Sequence, residues 1–460
     1  MVLGRTIWGR TAFRILVWVA AAAGMAGGLL AICGGGSTGP DVIVGNLMDL
    51  SHYTSGGAID GKRAYAVGTR SLNIGNKDLS WVSSNNQHPV IAQNMYRWKR
   101  EVLVGRTAGR FEQIGMSWLK HGFTALADSG FCSTCTFEPG HSSGNWLGQG
   151  CTDPYTASLN GTQTRLGPRN EVDAFTGFYP YDGSHPGGTG NATLTKRLIV
   201  ADDDVNPTLN SGARYFVEGQ YVASDDATAG NGLNNAAYRE VTVNSNRDIA
   251  YVADASNRCV WDTVGGPTAT FCTIPAIYAW RSIDPAVLIS PLDVPAEGRF
   301  HVAAKVFDNG DGTWRYEYAV HNLNSHRSAR RLVIPVPVGV AVTNVGFHDV
   351  DYHSGEPYTN TDWTPDTLTP GSVSWSTEEY SSNQNANALR WGTAYNFWFD
   401  AAAGPVDGAA TLGLFRPGSP TDLTIAVPVP GAVGSTFSDG FEAGSSCVWS
   451  DGESGSAGCI

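Results

Sequence analysis

The sequence predicts an all-β protein made of two β-rich units, the C-terminal one a β-sandwich, with long turn-rich loops. Composition carries this prediction, because charged residues make up only 16% of the 460 residues while there are 56 glycines, 14 tryptophans, 17 tyrosines and 17 phenylalanines. Aromatic side chains suit a pleated, half-buried surface, and glycine supplies turns. The chain is about three times a typical domain of roughly 150 residues, so we expect two folded units and terminal tails.

The first 33 residues have the pattern of a secretory signal peptide. Three arginines precede an apolar run over 15–33, and glycine and serine follow at once. A retained membrane anchor is the alternative, since the run is nearly long enough to span a bilayer, but three glycines interrupt it. Lipidation at Cys33 is a further alternative, which the bulky Ile32 before it disfavours. We therefore expect export to the periplasm or cell surface without a retained anchor.

The charge balance of the chain excludes one class of partner. Removing residues 1–33 removes three of the 30 basic residues and no acidic residue, so 27 − 42 leaves a formal net charge of −15. A surface this acidic repels phosphate backbones, and the sequence contains no stripe of lysine and arginine interleaved with aromatic residues. We expect no nucleic-acid partner.

Strand signals define a first unit over residues 40–298. The β-rich segments 90–98 and 110–119 are predicted to pair as a long hairpin. Residues 124–192 are turn-rich and contain three cysteines, and so long an irregular region is usually functional or cross-linked.

A second unit is predicted over residues 299–425. Segments 300–307 and 314–320 flank a turn rich in Asp and Gly, which is typical of a β-hairpin. Further strand signals at regular intervals predict a sandwich of six to eight strands. Residues 426–460 are expected to form a linker, with prolines at 428 and 430, and a tail.

Four of the cysteines suggest two disulfides. Cys259 and Cys272 flank a Gly-Gly-Pro turn, so a disulfide across a hairpin is expected there. Cys447 and Cys459 bracket a short Ser/Gly/Asp segment and would close a small loop. Both bonds need an oxidising compartment, which export supplies.

The other three cysteines, Cys132, Cys135 and Cys151, leave two interpretations open. One disulfide with a free or lipidated cysteine is the first. The second is a soft-metal site such as zinc, in which His141 or His121 provides a fourth ligand, because the Cys-x2-Cys spacing is compatible with tetrahedral coordination.

The segment FHDVDYH at 347–353 is the strongest candidate site in the second unit. Alternate residues of a strand share a face, so Asp349, Asp351 and His353 would point the same way. Two carboxylates and an imidazole can bind one divalent cation, calcium or zinc, with Glu356 supporting them or acting as a base.

The same alternation creates a burial problem. Val345 and Phe347 would share the face of the two aspartates, and carrying carboxylates towards a core is costly without a cation. If the strand instead ends at His348, the remainder is a solvated loop and no cation is required. A structural hydrogen-bonded network is the third interpretation.

Other motifs are weaker. The acidic clusters 202–204 and 225–226 could bind calcium in loops, although their spacing does not fit an EF-hand. Residues 140–144 match Gly-x-Ser-x-Gly, but Pro139 precedes them and no helix signal follows, so we interpret the match as coincidence. There is no HExxH motif, no Walker loop and no convincing GxGxxG motif after a strand.

The C-terminus carries a recognisable tail. Phe437-Ser-Asp-Gly-Phe-Glu-Ala-Gly444, followed by Trp449-Ser450, resembles short tails with a Phe-x-Asp-Gly-Phe-Glu pattern on exported proteins of Gram-negative bacteria. The body, for example residues 93–97, 117–123 and 387–393, is similar to a group of uncharacterised exported bacterial proteins. The resemblance implies an exported bacterial origin and brings no activity with it.

Three classes of function are consistent with these observations. We favour a non-catalytic binding protein of the cell envelope or extracellular space, with a glycan, protein or envelope partner, and exposed Tyr and Trp on one sheet face would support it. The alternative is a metal-dependent hydrolase or oxidoreductase that uses the cluster of Asp349 or the cluster of Cys132. The third is a structural surface protein whose calcium is architectural.

Overall fold

A computed structural model describes residues 36–432 except 104–105, 133, 182, 253–258, 261–269 and 354. The predicted signal peptide and C-terminal tail, with Cys33, Cys447 and Cys459, lie outside these residues. Secondary structure in the described part is almost entirely β, which confirms the all-β prediction. Its short helices are α1 (Ala157–Asn160), α2 (Ser224–Thr228) and α3 (Tyr278–Ile283), with 3-10 turns at Gln163–Arg165 and Arg169–Glu171. None of these described helices is long and apolar enough to cross a membrane.

The N-terminal part forms one large, mainly antiparallel sheet. The order of its main path is β1-β2-β10-β5-β4-β11-β12-β15-β14, with short strands paired at its sides. The strands of this part are β1 (Val42–His52), β2 (Lys62–Asn73), β3 (Leu79–Ser80), β4 (Val90–Leu103), β5 (Arg106–Met116), β6 (Leu119–Lys120), β7 (Trp146–Leu147), β8 (Thr152–Tyr155), β9 (Leu166–Gly167), β10 (Leu198–Ala201), β11 (Arg214–Val222), β12 (Ala236–Val243), β13 (Ile249–Tyr251), β14 (Cys259–Val260) and β15 (Thr270–Phe271).

Two sequence expectations for this sheet have different outcomes. The hairpin of β4 and β5 forms as predicted, with Leu103 opposite Arg106 at its tip. The strands beside the Gly-Gly-Pro segment do not form a hairpin, because β14 and β15 pair in parallel. Cys272 is disulfide-bonded, but the turn at 261–269 lies outside the described residues.

The C-terminal part is a sandwich of two five-stranded sheets, ordered β16-β17-β18-β23-β20 and β21-β22-β19-β24-β25. Between them lies an apolar core to which the first sheet contributes Phe300 and Phe397 and the second contributes Trp375 and Leu412. The strands are β16 (Leu288–Asp293), β17 (Arg299–Asp308), β18 (Trp314–Asn322), β19 (Ala329–Pro335), β20 (Val342–His348), β21 (Thr364–Asp366), β22 (Ser372–Ser376), β23 (Thr393–Ala401), β24 (Pro405–Leu414) and β25 (Asp422–Pro430).

The sandwich is larger than the six to eight strands expected from the sequence. β16 pairs with β17, so the sheet begins before residue 299. β25 runs to Pro430 and pairs with β24 along its whole length, so residues 428–430 are strand and not linker. The prolines are tolerated because β25 lies at the edge of its sheet, where ladder hydrogen bonds on one side are not required.

The hairpin of β17 and β18 forms as its sequence predicts. The turn has positive φ at Gly310 (75°) and Gly312 (85°), a conformation that residues with a Cβ rarely adopt. Asp308 and Asp311 accept hydrogen bonds from the backbone N–H groups of Gly310 and Thr313, which fixes the turn locally.

A chain of six buried side chains of alternating charge runs from the N-terminal sheet into the sandwich. Successive N–O distances along it are 2.7, 3.3, 2.8, 3.4 and 3.3 Å, and no member is more than 9% exposed. Three positive and three negative charges cancel. In order, the members are Arg97, Glu112, Arg110, Glu317, Arg315 and Asp400.

The centre of this charge chain is the pair of Arg110 and Glu317. The guanidinium donates two hydrogen bonds to the carboxylate, at 2.8 and 2.9 Å, and also lies 3.4 Å from the ring centre of Trp398. Burial would raise the pKa of Glu112, but the charges of His348, Arg97 and Arg110 outweigh it and lower that pKa to about 2. Glu112 therefore stays ionised at neutral pH beside its two arginine partners.

Uncharged contacts complete the junction between the two parts. The Gln113 side chain accepts a 2.7 Å hydrogen bond from the N–H of Ala394, and Asn396 donates a 2.8 Å bond to the carbonyl of Phe111. An apolar cluster that includes Trp280 of α3 and Ala319 of β18 lies beside them. Strand β5 is therefore held against β23 by apolar, polar and ionic contacts.

We expect Arg110→Met to lower the free energy of unfolding by about 3–5 kcal/mol, because it leaves Glu317 buried without its main partner. The measurement is urea denaturation at neutral pH. The matched control is Arg331→Met, which removes an arginine from a pair with Asp422 whose side chains are 39% and 41% exposed, and it should cost less than about 1 kcal/mol. Equal losses in the two variants would contradict the role given to the buried charges.

Candidate functional site

A cavity of about 220 Å³ lies where the segment 348–353 crosses the N-terminal sheet. We call it the 348–353 cleft. Its wall on the sheet side includes apolar residues of β5 and β10, so the cavity exists only because the two parts of the chain are docked. The polar side chains that line it are Lys62, Gln113, Asp204, His348, Asp349, Asp351 and His353.

Strand β20 ends at His348, opposite Asn396 of β23. The segment beyond it is a loop, so the solvated-loop interpretation describes the backbone here. The buried residues of this loop include Val350, Tyr352 and His353, and the first two pack against Met116. This placement removes the burial problem for Asp351, which is exposed between them, whereas Asp349 stays partly buried.

The three predicted ligands of this segment do not converge. The Asp349 carboxylate accepts a hydrogen bond from the Asn387 amide, and the His353 ring is buried and contacts the carbonyl of Arg197 at 3.0 Å. Among the described residues, the three whose ligand atoms lie within 4.8 Å of one another are Asp78, Glu138 and His141. The convergence of Asp349, Asp351 and His353 therefore fails because it needed a regular strand through residue 353.

The two histidines of the cleft each have one ring nitrogen engaged with a backbone oxygen. His348 Nε2 lies 3.2 Å from the carbonyl oxygen of Gln113, and His353 Nε2 contacts that of Arg197. A carbonyl oxygen only accepts hydrogen bonds, so both Nε2 atoms carry a hydrogen, and the basic nitrogen of each neutral ring is Nδ1. Burial raises the pKa of Asp349 to about 6, although the Asn387 amide opposes the shift.

Glu356, expected to support the same site, has a structural role instead. Its carboxylate accepts the backbone N–H groups of Arg169 and Asn170, at 2.5 and 3.1 Å, and so caps the 3-10 turn Arg169–Glu171. Burial raises its pKa to about 7 despite these two bonds. It does not line the 348–353 cleft.

The cysteine cluster forms a cross-linked loop and not a metal site. Cys135 and Cys151 are joined by a disulfide, and Cys132 is also disulfide-bonded. A metal needs cysteine thiolates, and no cysteine among the described residues is free. His141 instead lies 2.9 Å from the Asp78 carboxylate, and His121 stacks on the ring of Tyr181.

Sequence reasoning missed several residues around these sites. Asp78 and Glu138 lie beside His141, and Lys62 and Gln113 line the 348–353 cleft. Except for Glu138, which is three residues before His141, each comes from a strand or loop far along the chain from its neighbours in space. No spacing in the sequence could have connected them, because the pairing of distant strands brings them together.

The remaining sequence candidates have ordinary structural partners. Asp202 and Asp204 form ion pairs with Arg63 and Arg97 at 2.5 and 2.9 Å. Asp225 accepts the backbone N–H of Ser80 in β3, and Asp226 accepts that of Val42 at the start of β1. Residues 140–144 lie in a loop that leads to β7 without a helix.

No aromatic platform is exposed on the described sheet faces. The large hydrophobic side chains that are exposed in the described part of the chain include no tyrosine or tryptophan, being Leu126, Leu159, Phe178, Leu209, Leu288, Val338 and Leu368. They are scattered through the sequence and form no single strand face. A flat glycan-stacking surface of Tyr and Trp, which would have supported a binding role, is therefore not present among these residues.

Replacing both Cys135 and Cys151 by serine should lower the free energy of unfolding by about 3 kcal/mol. The reason is that the bond closes a loop with a sequence separation of 16 in a turn-rich region and so restricts the unfolded chain. Thermal and urea denaturation measure the change. A double variant as stable as the wild type would contradict a stabilising role for this bond.

The raised pKa of Asp349 predicts a pH-dependent stability. Below pH about 4 the folded and unfolded chains both hold the proton, and as pH rises through 6 the folded chain must lose it from a buried site, so this contribution to stability is lost. Asp349→Asn has no proton to lose, so its stability relative to the wild type should rise by about 1–3 kcal/mol between pH 4 and pH 8.

Urea denaturation at several pH values measures this difference. Asp407→Asn, at an exposed position of β24, is the matched control and should show no such trend. A difference between Asp349→Asn and wild type that stays constant with pH would contradict the assignment.

No protein-family model and no curated protein sequence matches this chain. Among solved structures, it is similar to the serine-rich repeat adhesion glycoprotein Srr1 of Streptococcus agalactiae, at 9% identity and a TM-score of 0.19 over 80% of this chain and 89% of that one. It is also similar to the serine-rich repeat protein Srr2 of the same species, at 8% identity and a TM-score of 0.21 over 87% of this chain and 94% of that one. For the N-terminal domain of the Streptococcus gordonii adhesin Sgo0707, the identity is 8% and the TM-score 0.19, over 86% of this chain and 98% of that one. TM-scores this low do not show a shared fold, and no functional conclusion follows from them.

Proposed function

We propose that this chain is an exported, non-catalytic binding protein of the bacterial cell surface, and that its ligand site is the 348–353 cleft. The observation that carries the proposal is the cleft itself, a polar cavity of about 220 Å³ between two docked parts of one chain. Ligand sites occur preferentially at such junctions. The ligand we infer is a small polar molecule with a positive charge, such as an amino sugar or the terminal amino sugar of a glycan.

The charges at the cleft support a cationic ligand. Asp351 is exposed at the mouth, and Asp349, with a pKa of about 6, is mainly ionised at neutral pH. Asp204 is already paired with Arg97, and Lys62 is the lysine of the lining. With the histidines counted as neutral, two loop carboxylates against one ammonium leave the site net acidic, and a cationic ligand gains from complementary charge.

The size and polarity of the cavity support a sugar-sized ligand. Drug-sized ligands occupy sites of roughly 300–1,000 Å³, so a cavity of about 220 Å³ suits a smaller molecule or the end of a longer one. The Gln113 side chain is one of the polar groups in the wall, and polar walls of this kind suit hydroxyl-rich ligands.

Hydrogen bonds commit several polar groups of the cleft to a structural role. The Nε2 atoms of His348 and His353 donate to backbone carbonyl groups, and the Asp349 carboxylate is engaged by Asn387. These bonds commit one nitrogen of each ring and one oxygen of Asp349 to holding the loop in place. The metal-dependent alternative gains no support from this segment, since its three ligands do not converge.

Location at the cell surface rests on the sequence and on the disulfide. The N-terminal 33 residues have the basic and apolar pattern of a secretory signal, and the Cys135–Cys151 bond is typical of an oxidising compartment. A formal net charge of −15 after cleavage suits a soluble exported protein that attracts cations.

Binding is tested by calorimetry with D-glucosamine, N-acetyl-D-glucosamine and D-glucose on the full exported chain. We expect D-glucosamine to bind more tightly than the two neutral sugars, because its ammonium group pairs with the loop aspartates. Asp351→Asn should weaken D-glucosamine binding by roughly fivefold, the effect of about 1 kcal/mol from one exposed ion pair.

Asp407→Asn changes the net charge by the same amount as Asp351→Asn. Asp407 does not line the cleft, so this control variant should bind D-glucosamine as the wild type does. Equal binding of the three sugars, or unchanged binding by Asp351→Asn, would contradict the proposed site. Cleavage of a glucosamine tetramer, followed by mass spectrometry, would contradict a non-catalytic function.

A further inference from the structure

A second group of ligand-type side chains, Asp78, Glu138 and His141, lies in the N-terminal part and shares no residue with the 348–353 cleft. Asp78 directly precedes β3, and the other two lie in the loop before β7. The pairing of β3 with β7 brings residue 78 beside that loop, and the Cys135–Cys151 disulfide closes the same loop. We call this group the Asp78 trio.

One separation within the Asp78 trio matches that of two ligands on one metal ion, and the ligand atom of Glu138 lies within 4.8 Å of both. One ligand atom from each residue lies within 4.8 Å of the other two, and His141 Nδ1 is 2.9 Å from Asp78 Oδ2. Ligands about 2.0–2.1 Å from a metal at angles between those of octahedral and tetrahedral sites are roughly 2.9–3.4 Å apart. An ion could therefore replace the proton between these two atoms with little movement.

An unsatisfied oxygen of Asp78 points to the same conclusion. The Asp78 side chain is 0% exposed, and its Oδ2 accepts both His141 and the backbone N–H of Glu138, at 2.8 Å. The other oxygen of this carboxylate, Oδ1, is buried without a hydrogen-bond partner. Leaving a buried carboxylate oxygen unpaired is costly, and coordination of a cation is one of the ways in which proteins satisfy it.

The surroundings hold the trio in place before any ion arrives. The His141 ring stacks on Trp146, with ring centres 3.6 Å apart and planes at 5°. Asp78 and Glu138 each accept the backbone N–H of the other. The side chains of His141 and Glu138 are 27% and 28% exposed, so an ion and its water ligands can reach the site.

A lysine ammonium occupies part of this site. Lys77 Nζ lies 2.7 Å from Glu138 Oε1, and the lysine side chain is 57% exposed. A flexible, exposed ammonium is displaced from a carboxylate at small cost, since such surface pairs contribute about 0–1 kcal/mol. Lys77 therefore competes with a metal ion for Glu138.

We propose that Asp78, Glu138 and His141 bind a divalent transition-metal ion, with Zn²⁺ as the best fit and water completing its coordination. One imidazole and two carboxylates suit zinc. Calcium takes oxygen ligands, so the imidazole of His141 argues against it.

The test is titration calorimetry with ZnCl₂ and CaCl₂ on the full exported chain, purified without a metal-affinity step and stripped with a chelator. We expect one equivalent of Zn²⁺ to bind and Ca²⁺ not to bind. His141→Asn and Glu138→Gln change partly exposed residues, so they should fold, and each should weaken Zn²⁺ binding at least about tenfold. Lys77→Met should tighten binding severalfold, a result that a purely structural trio would not give.

Asp248→Asn is the matched control. Asp248 lies 2.8 Å from His52 Nδ1 in a comparable His–Asp pair without a third ligand, so this variant should bind Zn²⁺ as the wild type does. Failure of the stripped wild type to bind Zn²⁺, or unchanged binding in His141→Asn or Glu138→Gln, would overturn the proposal. Equal affinities for Zn²⁺ and Ca²⁺ would overturn the choice of metal.

Discussion

The buried chain of alternating charges at the junction is the constraint on which the rest of the structure depends. Ionised side chains that are almost completely buried are tolerated only when each has an oppositely charged neighbour, and Arg110 and Glu317 come from different parts of the chain. If β5 moved along β23 by one residue, both would lose their partners. We therefore interpret the charge chain as the feature that sets the register in which the two parts dock.

That docking register creates the 348–353 cleft. Gln113 uses its side chain to hold residues 392–394 and its backbone carbonyl to receive His348, so the same strand supports the junction and the wall of the cleft. In the loop after β20, the apolar residues and the acidic residues have different positions. Val350 and Tyr352 anchor it against the sheet, and Asp349 and Asp351 remain at the cavity. The packed residues set the position of the loop and hence the shape of the cleft, and the two aspartates make the cleft acidic.

The turn-rich region 124–192 obtains its order from contacts other than long strands. Isolated bridges such as Thr136 with Gln149 and the Cys135–Cys151 bond hold this region together, and β8 attaches it to the large sheet by pairing with β2. A loop with so few ladder hydrogen bonds has much conformational entropy to lose, and a cross-link removes part of that entropy in the unfolded chain. The Asp78 trio lies at the edge of this cross-linked region, where two ligands from a loop face one from the start of a strand.

The sequence by itself determined what depends on near neighbours along the chain: the all-β class, the β4–β5 and β17–β18 hairpins, and the possibility that the strand ends at His348. A two-residue alternation and a glycine turn act over a few residues, so they are visible in the sequence. Only the tertiary structure decided the position of β10 between β2 and β5, the disulfide of Cys135 with Cys151, and the meeting of Asp78 with His141. These depend on which distant segments pair, and that choice is made by the burial of whole faces and charges and not by any local pattern.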